Sequence, residues 1–243
     1  MREYIPREKF YRKLIEEKGL VKFEVKVEET DMLILAEKNL KKEIEEEVKY
    51  QRNILKSYIK SHPEFLHSFS PVEVESEEEI IKLMSESSKL TSTGPMASVA
   101  GAMAEIVGKK FLKYSRSIFI ENGGDIFAKF DKDFTIGIYA GKSPFSMKIG
   151  IKMKKSEFPY GIGTSSGKIG HSFSYGDADA VSVISKSSAF SDGAATYFGN
   201  IVKGKIDEKK IEEELKKFPF IEGILIIREE KLFIWGNIEL VYI

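Results

Sequence analysis

The stretch Ile118-Phe-Ile-Glu-Asn-Gly-Gly-Asp-Ile-Phe-Ala-Lys-Phe130 decides the fold class. Two runs rich in β-branched and aromatic residues, Ile118-Phe-Ile-Glu and Ile126-Phe-Ala-Lys-Phe, flank the pair Gly123-Gly124, the pattern of two strands joined by a turn. Downstream, Phe134-Thr-Ile-Gly-Ile-Tyr and the run from Phe145 to Ile151 continue it through short turns such as Asp131-Lys-Asp133. Together these segments predict an antiparallel meander. Ala180-Val-Ser-Val-Ile184 predicts one more strand, and Ile224 to Ile227 with Leu232 to Trp235 predict a closing hairpin.

Upstream, Phe23-Glu-Val-Lys-Val27 alternates strictly and Met32-Leu-Ile-Leu-Ala36 follows a turn, which predicts another hairpin. Asn39 then caps a charged helical run to about Ile59, with Ile44, Val48, Ile54, Leu55 and Ile59 at roughly helical spacing. Residues 61–71 read as a loop; its His62 and His67 have no third ligand in sight and read as ordinary loop residues. A short amphipathic helix is predicted from Glu77 to Met84. Thr93-Gly-Pro-Met-Ala opens a further helix with Pro95 at its first position, and Ala97, Ala100, Gly101, Ala104 and Gly108 make a small-residue stripe along it. That stripe fits either close packing on a sheet or a helix N-terminus open to phosphates. With Asp207 capping a charged helix to about Lys217, the sum is an α+β fold, an antiparallel sheet with helices packed on it, in one domain over 1–243.

Composition removes several functions. Lysine plus arginine number 38 and aspartate plus glutamate 38, so no global field draws the protein to nucleic acid or an anionic membrane. The absence of cysteine excludes disulfides, thiolate nucleophiles and iron-sulfur ligation. The N-terminus is charged where a signal peptide needs an apolar run, and no stretch approaches a membrane span, so the chain reads as cytoplasmic. Abundant Lys, Glu and Ile with a single glutamine, Gln51, follow the trend of heat-adapted (thermophile) proteins.

Three motifs carry possible chemistry. In Ser191-Asp-Gly-Ala-Ala-Thr-Tyr-Phe-Gly-Asn200, Asp192 and Thr196 sit four apart at the start of a helix, side by side on one face. Such oxygen donors suit magnesium, and a first-turn Asp favoured by the helix dipole explains them equally. Asp125 after Gly123-Gly124 can bind a ligand's hydroxyl or amide, or its own turn. The run Gly161-Ile-Gly-Thr-Ser-Ser-Gly-Lys-Ile-Gly-His171 has the composition of a phosphate cradle or of a flexible surface loop. It is not a Walker loop, because Gly163 and Gly167 enclose three residues and Ile169 follows Lys168.

In order along the chain, Pro95-Met-Ala-Ser-Val-Ala-Gly, Glu121-Asn-Gly-Gly-Asp-Ile126, Gly161-Ile-Gly-Thr-Ser-Ser-Gly167 with His171, and Ser191-Asp-Gly-Ala-Ala-Thr196 resemble the motifs of the FAD:protein FMN transferase (ApbE-like) superfamily, in particular its shorter cytoplasmic branch. The likeness covers roughly Leu90 to Leu240, with residues 1–90 a divergent N-terminal part. It implies a T-fold-related α+β architecture. It also implies magnesium held by the Ala97 carbonyl, Asp192 and Thr196, with Gly123, Gly124, Asp125, Thr164, Ser165 and His171 around FAD and with Asp192 and His171 catalytic. The implied activity is transfer of FMN to a hydroxyl of an acceptor protein, or hydrolysis of the FAD pyrophosphate. The alternative is a non-catalytic flavin- or nucleotide-binding accessory protein. Two departures stand out: Ser98 occupies the place of the family's lysine, and Ser174-Tyr175 that of an Asp-Pro.

Overall fold

The computed structural model describes Arg12, residues 19–166 and residues 175–243. His171, and with it the second half of the glycine-rich run, lies outside the described residues. The strands in chain order are β1 (Val21–Val27), β2 (Thr30–Ala36), β3 (Ile118–Asn122), β4 (Asp125–Lys129), β5 (Phe134–Gly137), β6 (Ile149–Met153), β7 (Tyr160–Ser165), β8 (Ala180–Ser185), β9 (Gly223–Arg228), β10 (Lys231–Gly236) and β11 (Glu239–Tyr242). The helices are α1 (Lys41–Ser61), α2 (Glu64–His67), α3 (Glu79–Thr91), α4 (Val99–Phe111), α5 (Ser188–Ile201) and α6 (Glu208–Leu215).

The α+β arrangement is as expected, and every strand pair is antiparallel. The meander, however, is interrupted. The large sheet runs β1-β2-β3-β4-β7-β8-β9-β10, while β5 and β6 leave it and pair with β11 as a small sheet ordered β11-β6-β5. The reason lies in the apolar load of the large sheet. Strands such as β3 and β8 are buried on both faces, so both faces need cover. Phe119, Ile126, Ala128, Ile162, Ile184 and Leu225 pack on the small sheet. On the opposite face, Ile34, Ile118, Ile120 and Phe127 meet α1, α3 and α4, and Val181, Val183, Ile224 and Ile226 meet α5 and α6.

Three helices differ from the sequence reading: the stretch 61–71, expected as a loop, holds the short α2 with His67 as its last residue, and two more differ in extent. α3 continues to Thr91 because Ser87 and Ser88, polar in sequence, are fully buried and satisfied: their hydroxyls donate to the Ala189 and Thr93 carbonyls at 2.8 and 2.5 Å. The segment opened by Pro95 first makes a 3-10 turn, Pro95–Ser98, before α4 begins at Val99. The stripe along α4 is packing where Gly108 meets the Phe127 ring: a Cβ there would lie 2.1 Å from a ring carbon.

The glycine-rich run departs most from a surface loop. Its first half is β7, a central strand between β4 and β8. Helix α5 lies so close over it that a Cβ on Gly161 would fall 2.1 Å from the Ser188 nitrogen, and one on Gly163 2.1 Å from the Ser191 carbonyl carbon. Since backbone atoms cannot yield as a flexible side chain can, Gly163→Ala is expected to destabilise by about 1–3 kcal/mol or more. At about 2–4 °C per kcal/mol for a chain of this size, thermal unfolding should record a clear drop in Tm; an unchanged Tm would contradict the close approach.

Candidate functional site

The close approach of α5 to β7 fixes Asp192. Its residue is only 4% exposed, and its Oδ2 accepts the Gly101 N–H at 2.9 Å, with the Ala100 N–H bonded as well. Those two amides belong to the first turn of α4, where the helix has no intrahelical partner for them. Ser98, at the capping position, makes no side-chain cap bond to them; its hydroxyl donates to the Pro95 carbonyl at 3.1 Å. Asp192 therefore caps α4 from another element, and it can do so because Gly101 has no side chain: a Cβ there would stand 2.8 Å from the Asp192 Cβ. Glu105 pins the pair of helices from the side, accepting the Ser187 hydroxyl at 2.6 Å and the Ala189 N–H at 3.1 Å.

From β4 comes a second carboxyl. Gly123 and Gly124 make a two-residue turn with φ of +70° and +110°, values that favour glycine at both positions. Glu121 Oε1 accepts the Gly124 N–H at 2.8 Å, and its Oε2 pairs with Arg12 at 2.7 Å. Asn122 donates to the Ala100 carbonyl at 3.0 Å, tying the hairpin to α4. Asp125, 2% exposed, accepts the Thr164 N–H of β7 at 2.9 Å.

The two carboxyls are in electrostatic conflict. Burial pushes Asp125 well above the usual carboxylate range, the Asp192 charge and then Glu121 add to it, and the Thr164 N–H opposes. Burial likewise raises Asp192 to about 7 against the pull of the Gly101 and Ala100 amides. Among the described residues neither has an ion-pair partner.

The expected site residues are distributed as follows. Asp125, the Thr164 backbone, Asp192 and Gly124 come together; a Cβ on Gly124 would meet the Thr164 Cβ at 3.7 Å. Ser165 lies on the α5 side of β7 like Gly163, and among the described residues its buried hydroxyl has no hydrogen-bond partner. Thr196 follows Asp192 by one turn of α5, and α5 packs on the 3-10 turn that carries Ala97. Gly123 is at the hairpin tip, with open space where its Cβ would be. His62 stacks on Tyr58 at 4.2 Å, in keeping with a structural role. Among the described residues no three His, Cys, Asp or Glu side chains cluster to hold a metal. A cation would accordingly draw on hydroxyl and carbonyl oxygens beside a carboxylate. The residues present fit such a hard-oxygen site, since a carboxylate offers about four lone-pair positions and two amide bonds leave others free on Asp192.

A family model described as AbpE bacteria matches residues 12–216. The chain belongs to the ApbE-like family. Its similarity to curated relatives is close: it is 41% identical over 219 residues to UPF0280 protein MJ1526 of Methanocaldococcus jannaschii, covering 87% of this chain and 89% of the relative. To a UPF0280 protein of Methanosphaera stadtmanae it is 39% identical over 197 residues, covering 79% and 80%. Among solved structures, the apo flavinyl transferase ApbE of Pseudomonas stutzeri superposes with a TM-score of 0.61 at 14% identity, covering 90% of this chain and 94% of that one. The ApbE protein of Thermotoga maritima gives 0.57 at 13%, covering 90% and 96%. These two share the ApbE-like fold. No helix among the described residues is long and apolar enough to cross a membrane.

Glu121, Asn122 and Glu105 belong to the site's framework and were not singled out from sequence. Only the adjacency of Glu121 and Asn122 to the Gly-Gly-Asp turn could have drawn attention to them. In this ApbE-like chain Ser98 is fully buried.

The raised carboxyls have a pH signature. For Asp192, between the ordinary carboxylate value of 3.8 and about 7 the folded state holds a proton that the unfolded chain releases, so its stabilising contribution is complete below 3.8 and is lost as pH rises through about 7; Asp125 is raised in the same direction. Asp125→Asn keeps an acceptor for the Thr164 N–H and removes one charge. In metal-free protein its Tm should come closest to wild type at about pH 4, at the foot of that window, and should exceed it by a few degrees more near pH 8, at roughly 2–4 °C per kcal/mol. The same Tm difference at both pH values would contradict the charge conflict.

Proposed function

We propose that this protein is a magnesium-dependent flavin-nucleotide enzyme that acts on the pyrophosphate of FAD, transferring FMN to a hydroxyl of an acceptor protein or, with water as acceptor, hydrolysing FAD. The observation that carries the reading is the buried carboxyl pair, Asp125 and Asp192, which has no ion-pair partner among the described residues and lies near the buried Ser165 hydroxyl where β4 begins and β7 ends. Leaving two acidic groups so placed costs stability, and such strained electrostatics cluster at functional sites.

The balance of the reaction is simple. The acceptor oxygen bonds to the FMN phosphorus, the bond to the AMP phosphate breaks, the hydroxyl proton is released and AMP departs. Asp192, oriented by the Gly101 and Ala100 amides, together with Thr196 and the Ala97 carbonyl would hold magnesium, which when bound neutralises charge on the pyrophosphate oxygens. Asp125, Gly124, Thr164 and Ser165 line the approach to the nucleotide, the first three through fixed backbone and carboxyl positions. His171 is proposed as the further catalytic and flavin-contacting group. The donors are pre-organised because each is braced by secondary structure, the condition under which electrostatic stabilisation is most effective.

A second reading, a flavin- or nucleotide-binding accessory protein without turnover, is favoured by one observation: Ser98 is buried where the family resemblance expects a lysine, so one cation is missing from the phosphate site. Purified protein incubated with FAD and Mg2+ and resolved by chromatography separates the two. With water as acceptor the enzyme reading expects AMP and FMN, and with an added hydroxyl-bearing acceptor protein it expects AMP and flavinylated acceptor; Asp192→Asn should lower either rate by at least about a hundredfold. FAD retained without AMP supports the accessory reading, and full activity in Asp192→Asn removes Asp192 from the site.

A further inference from the structure

An arginine is seldom buried, because taking its charge out of water is costly unless carboxylates and carbonyls meet its donors. Arg12 is only 5% exposed. Its Nη1 donates to Asp31 Oδ1 at 2.6 Å and its Nη2 to the Asp31 carbonyl at 2.7 Å, with Glu24 Oε1 3.5 Å from Nη1. The other edge of the fork faces Glu121, where Nε and Nη2 both stand 2.7 Å from Oε2. A planar guanidinium reaches these separate groups at once, which a single ammonium cannot.

Anchoring the segment that carries Arg12 asks only for Asp31 and Glu24, which belong to the β1-β2 hairpin. Glu121 is different. It lies on β3, 2% exposed, and its second oxygen, Oε1, accepts the Gly124 N–H at 2.8 Å. That bond closes the Gly123-Gly124 turn from within, immediately before Asp125. Because side chains alternate along a strand, Glu121 and Asn122 point to opposite faces of the sheet. Asn122 ties the hairpin to the Ala100 carbonyl on the helix face. Glu121, in register with Leu33 and Ile126, ties it to Arg12 on the other. The turn is thus held from both faces, and the second hold comes from a residue 109 positions away. We propose that Arg12 is a positioning residue that works through Glu121, fixing the Gly123-Gly124-Asp125 turn from the face of the sheet opposite α4 and α5. This rests on the reading of Gly124 and Asp125 as part of a nucleotide site, and it gives the N-terminal segment a part in that site. Withdrawing the guanidinium removes what keeps Oε1 aimed at Gly124, and a displacement of about 1 Å at a site can cost about a hundredfold in rate.

The test compares the full wild-type chain with Arg12→Gln, Arg12→Lys, Glu121→Gln and the double variant Arg12→Gln/Glu121→Gln, all well below their unfolding temperatures. Hydrogen exchange of the Gly124 amide, followed by nitrogen-15 NMR, reads the turn; FAD affinity and AMP release with Mg2+ read the site. Arg12→Gln should speed Gly124 exchange and should weaken FAD binding or slow AMP release by roughly tenfold or more. Arg12→Lys should fall between it and wild type. Because both residues act along one path, the double variant should be no worse than the poorer single variant. Losses that multiply in the double variant overturn the route through Glu121. A merely structural anchor lowers Tm and leaves Gly124 exchange, affinity and rate as in wild type, and that result overturns the proposal. Should Arg12→Gln not fold, Arg12→Lys carries the same comparison with Glu121→Gln. Failure of wild type to bind FAD or release AMP overturns the nucleotide reading, while Gly124 exchange still decides whether Arg12 holds the turn.

Discussion

The structure depends on one close contact, the seating of α5 directly on the backbone of β7. Gly161 and Gly163 make it possible, because any side chain at either position would collide with main-chain atoms of residues 187–192. This contact lowers the first turns of α5 onto the sheet, and Gly101 lets α4 approach the same place. Two helices and two strands then end within hydrogen-bond reach of one another. Moving α5 outward by even a methyl group would withdraw Asp192 from the α4 amides.

The same contact creates the site's electrostatic tension. Capping a helix with a carboxylate is favourable, typically by about 0.5–2 kcal/mol, and it accounts for the orientation of Asp192. It does not account for Asp125, placed so that each charge opposes the other, or for the buried Ser165 hydroxyl with no partner among the described residues. A fold selected only for stability would place an apolar residue or a basic partner there. The arrangement makes sense for a site completed by a cation and a polyanionic ligand, for which unsatisfied oxygen donors are the requirement.

Much of this was legible in the sequence, and what was not had physical causes. The hairpins were plain because alternation repeats every two residues, and the Gly123-Gly124 turn was plain because only glycine accepts both dihedrals readily. The Asp192 and Thr196 pairing followed from helical spacing. β7 was hidden because a strand whose inward positions are glycine carries no hydrophobic alternation, so its central place became visible only once α5 was seen above it. The extension of α3 was masked by buried serines whose partners lie as far as 102 residues away. The diversion of β5 and β6 into a second sheet had no local signal, since it answers the need to cover a face built by distant strands. That Asp192 caps α4 rather than its own helix could not be read from either segment alone.

The most direct measurement of the buried pair is a carbon-13 NMR titration of the aspartate carboxyls in metal-free protein. One resonance should titrate near pH 7 and vanish in Asp192→Asn, and Mg2+ should shift its midpoint downward. If every aspartate titrates below about pH 5, within the ordinary spread for exposed groups, the two carboxyls are not confined together and the site described above does not exist.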